Sequence, residues 1–113
     1  MTTDIDKRVG DFLAAANTFD TIMFMAQWHK DAVLDDPCVG RKFAGHNEIQ
    51  EYFEDYFIGY NTQTQLVKLD ATSKNKVRIE VLFTGTFPQG EIGGTFDLVY
   101  REGKIQSAKA ELI

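Results

Sequence analysis

The stretch "AVLDDPCVG", Ala32 to Gly40, sets two carboxylates beside a proline and the chain's single cysteine. A carboxylate held at the mouth of an apolar pocket can act as a general base toward a proton next to a carbonyl. The same residues also make an ordinary turn, in which Asp oxygens accept from nearby backbone amides. Alternation separates the two acids. On an extended segment neighbours point to opposite sides, so Asp36 shares a side with Leu34 and Asp35 with Val33. Pro37 keeps the residue before it out of the α region. Asp36 is therefore expected to point inward and Asp35 to water. Cys38 has no base nearby in sequence and reads as a small buried hydrophobe. His29, placed at a helix end, and His46, at a helix start, read as structural.

Helices must position these groups from the N-terminal half. Ile5, Val9, Phe12, Leu13 and Ala16 predict a first helix over Asp4–Asn17, capped by Thr3 or Asp4. A short second helix starts near Asp20, carries "TIMFMAQW" and ends in Trp28. Being apolar nearly all round, it is expected to be covered on more than one side. Ile49, Tyr52, Phe53, Tyr56, Phe57 and Tyr60 define a third helix, with His46 or Asn47 as cap and Gly59 weakening its end. After Asn61 the period drops to two, in "QTQLVKLD", "KVRIEVLFTGTF", "TFDLVY" and "KIQSAKAEL". Val77, Ile79, Val81 and Phe83 share one face, and "SKNK", "PQGEIGG" and "REGK" supply turns. Helices in front and strands behind predict an α+β domain with an antiparallel sheet.

The totals exclude several classes. With 113 residues the chain forms one domain, residues 1–113, large enough for a core without staples. A net charge of −5 argues against nucleic acid as partner. No apolar run nears the roughly 20 residues that span a bilayer, so no membrane partner is expected. One cysteine and no zinc-type spacing predict no disulfide, no metal and a cytoplasmic setting. No cofactor is expected. Nine Phe, with 4 Tyr and 1 Trp, make the interior aromatic, either packed solid or lining a cavity.

In order and spacing these motifs resemble the NTF2-like superfamily, which holds ketosteroid isomerases and SnoaL-like polyketide cyclases. The resemblance rests on the amphipathic first helix, the short second helix ending in Trp28, "DAVLDDP" at Asp31–Pro37, and Gly45 eight residues on. It continues through Ile49, the Tyr52–Phe53 pair and "LVYREGKI". It implies a cone, three N-terminal helices packed on a curved antiparallel sheet, with an apolar pocket between them and a homodimer through the outer sheet face. It also implies Asp36 as a general base; the handling of such an Asp with an oxyanion hole is a well-described case. The positions matching that enzyme's hydrogen-bond donors and their supporting tyrosine are Phe12, Phe96 and Phe53, which have no hydroxyl. Losing one such donor costs about 3–4 kcal/mol of transition-state stabilisation. Steroid isomerisation by that route is therefore not expected.

Tyr100, on the parity of Phe96 and Leu98, is the first substitute partner for Asp36. Asp97 would need a bulge at Gly93–Gly94 to turn inward, Tyr52, Tyr56 and Glu111 are weaker options, and Arg78 faces outward. Phe12, Trp28, Phe53, Phe57, Phe83, Phe96 and Leu98 are expected to line a pocket for a small lipophilic molecule. Two functions fit: an isomerase-, cyclase- or dehydratase-type acid–base enzyme using Asp36, or a non-catalytic ligand-binding or dimerisation module.

Overall fold

The computed structural model describes residues 4–113, so Thr3, a proposed cap, lies outside the described residues. Helix α1, Asp4–Asn17, buries Ile5, Val9, Phe12, Ala15 and Ala16 along one stripe. Asp4 and Asp6 sit in its first turn, where negative charge complements the helix dipole. Helix α2, Thr21–Ala26, is capped by Asp20, whose side chain accepts from the Met23 amide at 3.0 Å. It is not covered all round: Phe24 and Met25 are buried, whereas Ile22 is 86% and Met23 49% exposed. Successive residues turn by about 100° on a helix, and a helix this short has neighbours on one side only.

Trp28 does not end α2. It opens strand β1, Trp28–Asp36, on which His29 also lies. A turn at Pro37–Gly40, with Gly40 at φ 69°, leads to β2, Arg41–Ala44. Helix α3, Gly45–Phe53, takes its N-terminal partner from neither His46 nor Asn47. Glu48 instead reaches back to accept from the Ala44 amide at 3.1 Å, from one position beyond that of the glutamate in a capping box. The helix then loosens into a π-helical turn, Glu54–Ile58. Its wider bonds run from the Gly59 amide to the Glu54 carbonyl and from the Thr62 amide to the Phe57 carbonyl, each 2.8 Å.

Strands β3, Gln63–Ala71, β4, Lys76–Thr84, β5, Glu91–Arg101, and β6, Lys104–Leu112, follow as hairpins. The six strands form one curved, unclosed sheet in the order β2-β1-β6-β5-β4-β3. The sheet is mixed rather than fully antiparallel, because β1 pairs with β6 in parallel. The first strand reaches the last only after the chain has gone round the whole meander, and no hairpin dictates their direction. The β4–β5 register runs unbroken from Lys76↔Val99 to Thr84↔Glu91, so the bulge considered at Gly93–Gly94 is absent.

The core lies between the concave sheet face and the helices. Val77, Ile79, Val81, Phe96, Leu98 and Ile105 meet Val9, Phe12, Phe24, Ile49 and Phe53. Burying such side chains stabilises by about 1.5–3 kcal/mol each. The convex face is polar: Arg78 makes a two-point contact with Asp97 (2.8 and 3.0 Å), and Lys109 pairs with Glu111 at 3.8 Å. Asp97 and Glu111 therefore stand outside the cone with Arg78.

Candidate active site

Asp36 ends β1 on the inner side, only 8% exposed, while Asp35 is half-exposed and registers against Lys42 of β2. The turn reading and the inward reading of Asp36 are both realised. The Cys38 amide donates to its Oδ1 at 3.0 Å, as in an Asx turn, and the Tyr52 hydroxyl donates to its Oδ2 at 2.8 Å. A carboxylate has about four lone-pair sites, so two donors leave acceptor capacity for a further group. Cys38 itself is exposed at the turn, not buried, because Pro37–Gly40 stands clear of the sheet.

Tyr52 comes from the last turn of α3 and is buried, its ring against the edge of Phe43 at 4.9 Å. Burial first, then the neighbouring Asp36 charge and the hydrogen bond to it, hold its phenol well above the usual tyrosine range. Tyr52 is therefore a protonated donor at neutral pH.

These two groups sit in the wall of an open cavity of about 250 Å³. Tyr52, Tyr56 and Tyr60, spaced i, i+4 and i+8 along the third helical segment and the turn after it, line it together with Phe57. On a regular helix, positions 52, 56 and 60 share a face and 57 drifts off it. The π-helical turn narrows the angle per residue, which brings Phe57 to the same side. Phe83 of β4, Phe87 of the β4–β5 loop, Thr62, Gln89 and Ile92 complete the wall. Gly94 makes this arrangement possible: a Cβ there would stand 2.5 Å from the Phe83 ring.

Of the residues expected to line a pocket, the structure brings Phe57 and Phe83 to the cavity. Phe12, Trp28, Phe53, Phe96 and Leu98 are not in its wall; they are packed solid behind it. Phe24 stacks on Phe53 at 4.1 Å, and Phe12 meets Phe96 edge-on at 5.5 Å. The rings fill the inner end of the cone, and the Trp28 indole N–H is buried among them without a hydrogen-bond partner. Tyr100 is also outside the cavity wall. Its ring lies under the Arg8 guanidinium, 5.9 Å from the centroid, and its hydroxyl is buried without a hydrogen-bond partner. The register shift between Val99 and Tyr100 sits at that end of β5. The partner that sequence reasoning assigned to Tyr100 is supplied by Tyr52. Tyr60, Phe87 and Thr62 were not anticipated; the i, i+4, i+8 run of tyrosines was the available signal.

His46 donates or accepts only within the fold, its Nε2 2.9 Å from the Trp28 carbonyl oxygen. Among the described residues no group of His, Cys, Asp and Glu is arranged to hold a metal ion, and no helix is long and apolar enough to cross a membrane.

Residues 9–107 match the SnoaL-like domain. The chain belongs to the SnoaL-like family. No protein of curated function matches it by sequence. Solved structures with the same fold include a polyketide cyclase candidate from Sinorhizobium meliloti. At 17% identity it superposes with TM-score 0.84, over 96% of this SnoaL-like chain and 98% of that one. A ketosteroid isomerase candidate from Kribbella flavida gives TM-score 0.86 at 14% identity, over 99% of this chain and 79% of that one. A Mycobacterium tuberculosis protein, solved in complex with estradiol-17β-hemisuccinate, gives 0.83 at 12% identity, over 96% and 93%. At these identities the likeness is one of fold, and the SnoaL-like cone is common ground among proteins that differ in side chains.

Proposed function

We propose that this SnoaL-like protein is an acid–base enzyme acting on a small lipophilic carbonyl compound, with Asp36 as the base. The observation that carries the reading is a lone carboxylate in an aromatic cavity. Among the described residues Asp36 is the only carboxylate in the cavity wall, and two donors fix its orientation. In this reading Asp36 takes a proton from the carbon next to the carbonyl, leaving an enolate. Returning that proton to another carbon gives isomerisation; attack of the enolate carbon on a second carbonyl of the same molecule, with the proton passing from Asp36 to the alkoxide so formed, gives cyclisation. Tyr52 holds the carboxylate, and the Tyr56 and Tyr60 hydroxyls are the candidate donors to the enolate oxygen.

Conversion of a small cyclic β,γ-unsaturated ketone to its conjugated enone, followed by ultraviolet absorbance, tests this. Asp36→Asn should lower the rate by about 10²–10⁴-fold. Equal rates in the two proteins would remove Asp36 from the mechanism.

The second reading is a non-catalytic binding module. It is favoured by the packing of Phe12, Phe53 and Phe96, the positions that match the family's hydroxyl donors, into a closed core. A ligand that binds in the cavity without turnover on any carbonyl probe would select it. The homodimer through the convex sheet face belongs to both readings; a monomer in sedimentation at micromolar concentration would exclude it. So does the small lipophilic partner.

A further inference from the structure

The wall of the cavity has a chemical bias that proton transfer alone does not use. Its aromatic side chains form a continuous belt. Ring centroids step from Phe83 to Phe57 (6.1 Å), Phe57 to Tyr52 (6.1 Å), Tyr52 to Tyr56 (5.2 Å), Tyr56 to Tyr60 (6.5 Å) and Tyr60 to Phe87 (6.1 Å). The belt turns corners at both ends, since Phe57–Phe83 and Tyr60–Phe87 meet at 86° and 84°. Parallel rings would make a slot for a flat molecule. Rings at steep angles suit a compact, rounded group that meets π-density from several sides.

Charge points the same way. Among the described residues the only charged side chain in the wall is Asp36, and no Lys, Arg or His lines it. The protein as a whole carries a formal charge of −5. A negative site with aromatic walls attracts a cation through both the carboxylate field and the ring quadrupoles. The volume, about 250 Å³, holds a compact ammonium group with a short chain.

We infer that the cavity binds a small lipophilic molecule bearing an alkylated ammonium group, seated in the ring belt and facing Asp36. This rests on the same cavity as the proposed function and names its ligand class. A quaternary ammonium has no N–H to occupy the carboxylate, so the inference leaves Asp36 its remaining lone pairs for a carbon-bound proton.

Choline and its neutral carbon isostere, 3,3-dimethyl-1-butanol, differ in charge and barely in shape. Titration of each into the full chain, followed by tyrosine ring-proton shifts, measures the bias. Choline should bind about tenfold or more tightly than the alcohol. Asp36→Asn should remove most of that ratio. Asp36 is buried and doubly bonded, so Tyr60→Leu, at a 38% exposed position, provides a second variant; it should weaken choline several-fold more than it weakens the alcohol. Equal binding of the two probes, no binding of choline, or a ratio untouched by both substitutions would overturn the inference. A protein that binds choline selectively yet isomerises no enone keeps this inference and loses the acid–base reading; the converse loses only this one.

Discussion

At the inner end of the cone Phe24 lies nearly flat on Phe53, 4.1 Å between centroids and 11° between planes. At the mouth the rings of Tyr52, Tyr56, Phe57 and Phe83 stand 5.2–6.1 Å apart at steeper angles, with about 250 Å³ of space beside them. Both ends are aromatic, and the difference lies in what accompanies the rings. Helices α1, α2 and α3 all reach the inner end, and small residues such as Ala15, Ala16 and Ala108 let them close in. At the mouth the wall is a π-helical turn, a hairpin and the end of β1, and three of its rings are tyrosines with polar tips. Ring content decides neither outcome; packing partners and polar tips do.

The largest test of this contrast truncates one ring at each end. Phe53→Ala should cost about 3–5 kcal/mol, because the stack it leaves cannot collapse around Ala. Tyr56→Ala, at a half-buried ring with free volume beside it, should cost well under half of that. Urea denaturation of both variants gives the comparison. Similar losses would mean that the mouth is as tightly packed as the core.

Next in size is the Asp36–Tyr52 pair. Tyr52→Phe keeps the ring and removes the donor, leaving the buried carboxylate with the Cys38 amide. A hydrogen bond to a charged group is worth about 1.5–3 kcal/mol, and that is the expected loss. The pair also sets how Tyr52 ionises. Asp36→Asn deletes the charge that opposes the phenolate, so Tyr52 should titrate closer to its ordinary value in absorbance near 295 nm. An unchanged titration would leave burial as the whole cause.

Much of this was readable from the residues. Alternation and Pro37 gave the direction of Asp36, and periodicity gave α1, α3 and the four long hairpin strands. The filled inner end was not readable, because apolar rings at period 3.6 look the same whether they face a core or a void. Tyr100 misled for a related reason. Parity along β5 put it on the inner face, and it is buried there, but parity does not say how far along the cone a residue sits. Tyr52 needed the bend of β1 relative to α3, and Phe57 needed a π-helical turn that no local sequence signal marked. Strand direction in the β1–β6 pair was fixed by long-range closure, beyond the reach of any hairpin rule.

The smallest expected effect sharpens the contrast most, because it sets two buried tyrosines against each other. Tyr52 has a partner for its hydroxyl and Tyr100 has none. Removing a bonded hydroxyl strands its acceptor; removing an orphaned one strands nothing. Tyr100→Phe should therefore be neutral or stabilising by up to about 1 kcal/mol at pH 7. Its second signature appears in alkali. Burial pushes the Tyr100 phenol up to about 12, with Arg8 pulling down and Asp11 pushing up. An unfolded tyrosine ionises near 10, at about that pH. Between those values the unfolded chain has released the proton and the folded chain retains it, so the folded form loses stability as pH rises. Tyr52 contributes a fall of the same sign that begins at the same pH. Tyr100→Phe should leave the Tyr52 part and flatten the rest, in melting curves between about pH 9 and pH 12. If Tyr100→Phe destabilises as much as Tyr52→Phe at pH 7, its hydroxyl is bonded in solution, and the inner end of the cone carries a polar contact like the one at the mouth.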